Sequence, residues 1–257
     1  MDSSTKPTVV FVPGVFHTPV HAEVLVECLR TKGYPTEVVS HPTIGTLAAS
    51  APPNADAAHL RQVLEELVNN QQKEIILLCH SYGGVPGSQS VNGLEISSRA
   101  RASQKGGIVK TIFLSAVIPR EGDTVVQTLV GSEIPPGEWI DRDPATGVSF
   151  VNAKASATLF HDLPADRAEY YVSKLEPMSA HVVSVPVSNV CWDNDVPKVA
   201  IFCKTDRVFP LDGQRRMMER VKSTKGGDWE TYEMDCGHSP FLSHVEELVE
   251  IITLTKA

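Results

Sequence analysis

The sequence carries no surplus of positive charge: 23 Lys and Arg stand against 31 Asp and Glu, a net charge of −8. Such a balance gives no electrostatic footprint for nucleic acid or an anionic membrane surface. Paired cysteines are lacking too. Cys28, Cys79, Cys191, Cys203 and Cys236 are odd in number, widely spaced and without a C-x-x-C pair, which excludes a disulfide framework and fits reduced thiols inside a cell. No long hydrophobic run occurs near the start, where Met1 to Pro7 is polar and Val9 to Val12 is stopped by Pro13. Neither a secretory core nor a membrane span is expected there, and the reading is a soluble, cytoplasmic protein. Internal repeats and low-complexity tracts are likewise missing.

What is present is an ordinary globular composition. Hydrophobic residues make up 42% and charged residues 21%, with 17 Gly and 18 Pro, which excludes collagen-like, coiled-coil and largely disordered chains. At 257 residues one sizeable core suffices. Short apolar runs at 9–12, 36–39, 75–78, 109–118, 199–202 and 229–234 read as strands, most of them continuous enough to be buried on both faces. Amphipathic helices alternate with them. Leu60, Val63, Leu64, Leu67 and Val68 share one face, as do Leu242, Val245, Leu248, Val249 and Ile252, where Ser239 and Pro240 make a suitable helix start. Alternation of this kind implies an α/β fold with a mostly parallel central sheet flanked by helices.

The alternation breaks between about residues 120 and 196. Gly, Pro, Asp and Ser are frequent there, and the clearest helical pattern follows Pro164, with Ala168, Tyr171 and Leu175 on one face. Because the stretch also carries Trp139, Phe150, Phe160, Tyr170, Tyr171, Met178 and Trp192, it reads as a lid inserted over the sheet's edge rather than a free linker.

Chemistry concentrates where a buried strand, 75–79, runs into His80-Ser81-Tyr82-Gly83-Gly84. A serine at a sharp strand-to-helix turn is the context of a nucleophile elbow, although Cys79 stands at the first glycine position of G-x-S-x-G. A serine hydroxyl needs a base and a carboxylate to orient that base. Asp206 just past one strand and His238 just past the last supply them in the chain order nucleophile, acid, histidine; Asp228 and Asp235 are weaker alternatives. The loop after the first strand, Val12-Pro13-Gly14-Val15-Phe16-His17, offers a second backbone donor, so the oxyanion hole is assigned to the N–H groups of Val15 and Tyr82. Gly14, His17, Phe160 and Trp192 are expected to line the substrate site, and His80 to support the elbow. A dinucleotide loop at residues 83–87 fails the G-x-G-x-x-G register. A zinc pair at His17 and His21 is opposed by Pro19 and by the lack of a third ligand. No metal or cofactor is expected.

These motifs, together with Phe160-His161-Asp162-Leu163-Pro164 and Thr205-Asp206-Arg207-Val208-Phe209-Pro210, resemble the α/β-hydrolase superfamily, in the compact branch of plant methylesterases, hydroxynitrile lyases and esterase-like relatives. The resemblance implies one domain over 1–257 with its lid at about 120–196. It also implies a cofactor-independent serine hydrolase that cleaves a small, largely apolar ester or lactone through an acyl-enzyme. Non-hydrolytic use of the same triad (lyase chemistry, carbon–carbon cleavage, acyl transfer or lactone closure) and a non-catalytic ligand-binding role are the alternatives. Against cyanohydrin cleavage, Ser239 follows His238 where the plant lyases carry lysine, and Gly14 stands where they carry threonine. The partners expected are a small-molecule substrate and, at most, a second copy in a homodimer.

Overall fold

A computed structural model describes residues 6–45, 48–135, 137–224 and 227–254. Its strands are β1 (Thr8–Val12), β2 (Thr36–Val38), β3 (Glu74–His80), β4 (Gly107–Leu114), β5 (Ile140–Asp143), β6 (Val148–Val151), β7 (Met178–Ser179), β8 (Lys198–Cys203) and β9 (Trp229–Met234). Six of them form one sheet in the order β2-β1-β3-β4-β8-β9, with every pairing parallel. Parallel pairing puts all the strands' C-terminal ends on one edge. The chain order reverses between β1 and β3, so the loops leaving these two strands open a crevice there.

The continuous apolar runs follow from burial on both faces of this sheet. On one side Val9, Phe11, Ile76, Leu78, Ile112 and Leu114 join a cluster with Leu25, Leu29, Leu248 and Ile252. On the other, Val10, Val12, Ile75, Leu77 and Phe113 pack with Leu60, Leu64, Val91, Trp192 and Val221. The alternation of neighbours along β1 and β3 is the two-residue period of a strand, hidden in the sequence because both faces are apolar.

The helices are α1 (Glu23–Thr31), α2 (Ala55–Glu65), α3 (Gly84–Gln89), α4 (Ile96–Arg101), α5 (Val125–Gly131), α6 (Ala155–Leu159), α7 (Ala165–Val172), α8 (Leu211–Lys222), α9 (Pro240–Ser243) and α10 (Val245–Leu254). Two boundaries and one cap differ from the sequence expectation. The run 109–118 stops being a strand at Leu114, because Ser115 turns into the left-handed region at φ 37°. The C-terminal helical pattern is broken in two at His244. Ser239 holds the N-cap position of α9 without a side-chain capping bond.

Between β4 and β8 the chain is more ordered than its composition suggests. Helices α5, α6 and α7 accompany a separate three-stranded sheet, β5-β6-β7, whose pairings are antiparallel. Thr124 starts α5 with a capping box, accepting from Gln127 N–H while the Gln127 side chain takes Thr124 N–H, a device that satisfies two otherwise unpaired donors.

Candidate active site

Ser81 follows β3 directly and opens a tight helical turn, Ser81–Gly83, that continues into α3. Its φ of 53° is left-handed, a conformation that costs a non-glycine residue about 1–3 kcal/mol and persists only where the surroundings enforce it. Cys79, at the first glycine position of the motif, finds its room locally. A Cβ on Gly87 would lie 2.2 Å from Cys79 Sγ, so the missing side chain at Gly87 makes room for the thiol. Burial raises the Cys79 pKa well above its ordinary value, which leaves it a neutral packing group.

His238 brings the separate loops together. Its Nδ1 lies 2.7 Å from Asp206 Oδ2 and its Nε2 3.0 Å from Ser81 Oγ. With Nδ1–H donated to the carboxylate, Nε2 presents its lone pair to the serine hydroxyl, the geometry in which an imidazole can accept that proton. Asp206 is itself held: Oδ1 accepts from Val208 N–H at 2.7 Å and Phe209 N–H at 2.9 Å. Ser115 Oγ donates to Oδ2 at 2.5 Å and lies 3.4 Å from His238 Nδ1. Sequence reading missed Ser115. Its only signal there was position, as the residue after a buried strand, and its left-handed backbone is what turns the hydroxyl onto Asp206.

Behind His238 lies a cluster of buried imidazoles. His80 Nε2–H donates to the His238 carbonyl at 2.9 Å, tying the elbow to the histidine loop. His17 Nδ1–H donates to the Val15 carbonyl at 2.7 Å and His21 Nε2–H to the Tyr171 carbonyl at 3.0 Å. Burial first, then neighbouring imidazoles, hold His17 and His80 well below the ordinary histidine pKa. These rings are therefore neutral and place no fixed positive charge beside His238. Asp162 adds a further brace, its Oδ2 accepting from Gly237 N–H and Ser243 Oγ, each at 2.7 Å.

Gly14 packs on the serine so closely that a Cβ there would stand 2.8 Å from Ser81 Cβ and 3.2 Å from Oγ. Val15, Ser81 and Tyr82 line a cavity of about 90 Å³ with Val117, Leu129, Trp139, Val183 and Phe209 among its other walls. Tyr82 N–H belongs to the first turn of its helix, where backbone donors have no partner within the helix. The cavity is walled chiefly by apolar side chains, and residues 117–183 from the β4–β8 excursion supply most of them.

Three of the expected lining residues sit elsewhere. Trp192 belongs to the opposite face of the sheet, against Phe113 and Trp229, with its Nε1–H on the Pro119 carbonyl at 2.7 Å. Phe160 is fully buried between His17, His21 and Tyr171. His17 supports the Val15 loop from behind. All three are consumed by packing. Among the described residues, no group of three or more His, Cys, Asp or Glu is arranged to hold a metal ion.

The model of the "Alpha/beta hydrolase family" matches residues 9–251. The chain belongs to that family. It is similar to "Probable hydrolase R7" of Phoma sp., 29% identical over 252 residues that cover 96% of this chain and 97% of the relative. Among solved structures it resembles polyneuridine aldehyde esterase, with a TM-score of 0.74, 17% identity and coverage of 96% and 98% of the two chains. It also resembles a pyrethroid hydrolase from Sphingobium faniae, with a TM-score of 0.70, 19% identity and coverage of 96% and 95%. At these identities the solved structures speak for the fold: a mostly parallel central sheet flanked by helices. Hydrolase chemistry is the activity that the family supports.

Proposed function

We propose that this family member is a cofactor-independent serine hydrolase acting on a small, largely apolar ester or lactone. The observation that carries the reading is His238, bonded at once to Ser81 and Asp206 beside an apolar cavity that Ser81 lines. Ser81 Oγ attacks the carbonyl carbon while its proton passes to His238 Nε2, and Asp206 stabilises the imidazolium that forms. The N–H groups of Val15 and Tyr82 receive the tetrahedral oxyanion. As the intermediate collapses, the carbon–oxygen bond to the leaving alcohol breaks and His238 returns the proton to that oxygen. Water, activated by the same histidine, then releases the acid from Ser81. The residues around 120–196 act as the lid of this reading, since their side chains form most of the cavity wall and set its size. The five free thiols fit a reducing, cytoplasmic setting.

The test is a panel of short aryl and methyl esters and small lactones, assayed with wild-type protein and with Ser81→Ala. Hydrolysis that disappears in the variant supports the reading. Ester turnover that survives Ser81→Ala, or cyanide release from mandelonitrile that depends on Ser81 without ester hydrolysis, overturns it.

A further inference from the structure

A second buried carboxylate stands next to the elbow and takes no part in the proposed proton transfers. Asp56, in α2, is 2% exposed, and such a group is tolerated only when its oxygens are hydrogen-bonded. Oδ1 accepts from Thr43 N–H at 3.1 Å, and Oδ2 from Thr43 Oγ1–H at 2.6 Å and from the Tyr82 phenol at 2.9 Å. His41 lies alongside, its Nδ1 3.8 Å from Oδ2 and its ring edge-on to Tyr82 with centroids 5.5 Å apart. Burial keeps His41 below the ordinary histidine pKa, so the ring is neutral and has one N–H to give. That N–H goes from Nε2 to the Pro13 carbonyl at 2.8 Å, leaving Nδ1 without a hydrogen-bond partner, so His41 joins the cluster through its ring contact with Tyr82 rather than through a bond to Asp56.

The two arms of this cluster end on the two segments assigned to the oxyanion. One arm grips Tyr82, whose backbone N–H is one donor. The other grips Pro13, two residues before Val15, whose N–H is the second. Between them Gly14 lies against Ser81 and has no side chain with which to fix its own orientation. Thr43 ties Asp56 to the loop before α2, whereas the phenol on Asp56 and the imidazole on Pro13 each restrain a peptide beside Ser81.

We infer that Asp56, His41 and the Tyr82 phenol form a positioning unit that sets the separation of the Val15 and Tyr82 N–H groups. The unit thereby serves oxyanion stabilisation rather than substrate binding. This rests on the serine-hydrolase reading above. Its signature is a loss confined to the chemical step, because a displaced donor weakens charge that develops only in the transition state.

A fluorophosphonate probe reads that step without knowledge of the natural substrate. Ser81 Oγ bonds to phosphorus, fluoride departs, the serine proton passes to His238, and charge builds on the phosphoryl oxygen. The rate constant of labelling at saturation and the half-saturating concentration are measured separately for wild type, Tyr82→Phe, His41→Leu and His41→Gln, each corrected for its folded fraction. In Tyr82→Phe and His41→Leu the saturating rate falls about tenfold, a fraction of the ~10²–10³ lost when a donor is removed outright, while half-saturation stays within twofold of wild type, on the order expected for an unchanged ground state. His41→Gln, which keeps a donor for Pro13, recovers most of the rate. An unchanged saturating rate in Tyr82→Phe, which deletes one oxygen and needs no refolding of the core, overturns the inference. So does a loss seen only in half-saturation. Wild type that is not labelled at Ser81 overturns the hydrolase reading itself, an outcome separate from normal labelling of both wild type and Tyr82→Phe.

Discussion

Two aspartate–histidine pairs lie buried near Ser81, and they differ in what the far ring nitrogen meets. In Asp206–His238 the ring is 2.7 Å from its carboxylate and its other nitrogen faces a hydroxyl at 3.0 Å. In Asp56–His41 the ring stands off at 3.8 Å and its other nitrogen is bonded to a carbonyl at 2.8 Å. A hydroxyl can surrender a proton to imidazole, whereas a carbonyl only accepts one. The same two residue types are thus arranged to pass a proton in one place and to hold a backbone carbonyl in the other, and the third partner makes the difference.

That contrast is broken most severely by Ser81→Ala, which leaves His238 with no proton to take. Ester turnover falls about a thousandfold or more, with the melting temperature nearly unchanged, as initial rates and calorimetry together will show. Asp206→Asn comes next. It keeps the shape of the acid but spoils the tautomer and orientation of His238, for a loss of kcat on the order of a thousandfold to ten-thousandfold, and it is strongly non-additive with His238→Ala.

The other pair responds in stability. Asp56→Ala strands the Tyr82 hydroxyl and both Thr43 donors, each buried unpaired group costing about 1–3 kcal/mol, so denaturant titration registers a loss of several kcal/mol, larger than for Asp206→Asn. A gentler probe is pH. His17, His21, His41 and His80 all have folded pKa values below their ordinary one, with burial the leading cause. The unfolded chain therefore takes up protons first as the solution is acidified. Their stabilisation is complete above the unfolded value near 6.5 and is lost as pH falls below it, by up to about 1.4 kcal/mol per pH unit for each histidine. Melting temperatures measured from pH 8 to 5 fall on the acid side, and His17→Gln flattens that limb by one proton's worth. Smallest of all is the catalytic effect of Trp192→Phe. Its site faces the other side of the sheet, so kcat and KM stay within about twofold while stability drops slightly with the lost Pro119 bond.

Much of the Ser81 side of this comparison was legible in the sequence. Strand ends at His80, Cys203 and Met234 follow from apolar runs and their punctuation, and parallel strands bring the residues just beyond such ends to one edge. Ser81, Asp206 and His238 are each within four residues of those ends. The Asp56 side was not legible, because Asp56 lies in the first turn of an otherwise ordinary amphipathic helix, where an acidic residue is commonplace, and meets His41, Thr43 and Tyr82 only through tertiary packing. Ser115 escaped notice for a related reason: its apolar neighbours extend the strand pattern past the point where the backbone turns. Within the excursion, short strands such as Met178–Ser179 are set by pairing with β6 rather than by any local period, and aromatic content alone overstated how many rings face the cavity.

The excursion begins after Leu114 and returns at Lys198, on strands that are hydrogen-bonded neighbours; Ser115 N–H reaches the Ile201 carbonyl and Thr111 N–H the Pro197 carbonyl, at 2.8 and 2.9 Å. Because the two strands are parallel, the excursion leaves at the C-terminal edge of the sheet and must run back to the opposite edge before Lys198 starts β8. Between two such fixed strands a long excursion can be lengthened or shortened with little change in the entropy of closing it, about 0.6 kcal/mol for each doubling of length. The stretch that shapes the cavity wall can thus vary in length while the Ser81 loop, rooted in the strand beside β4, stays where it is.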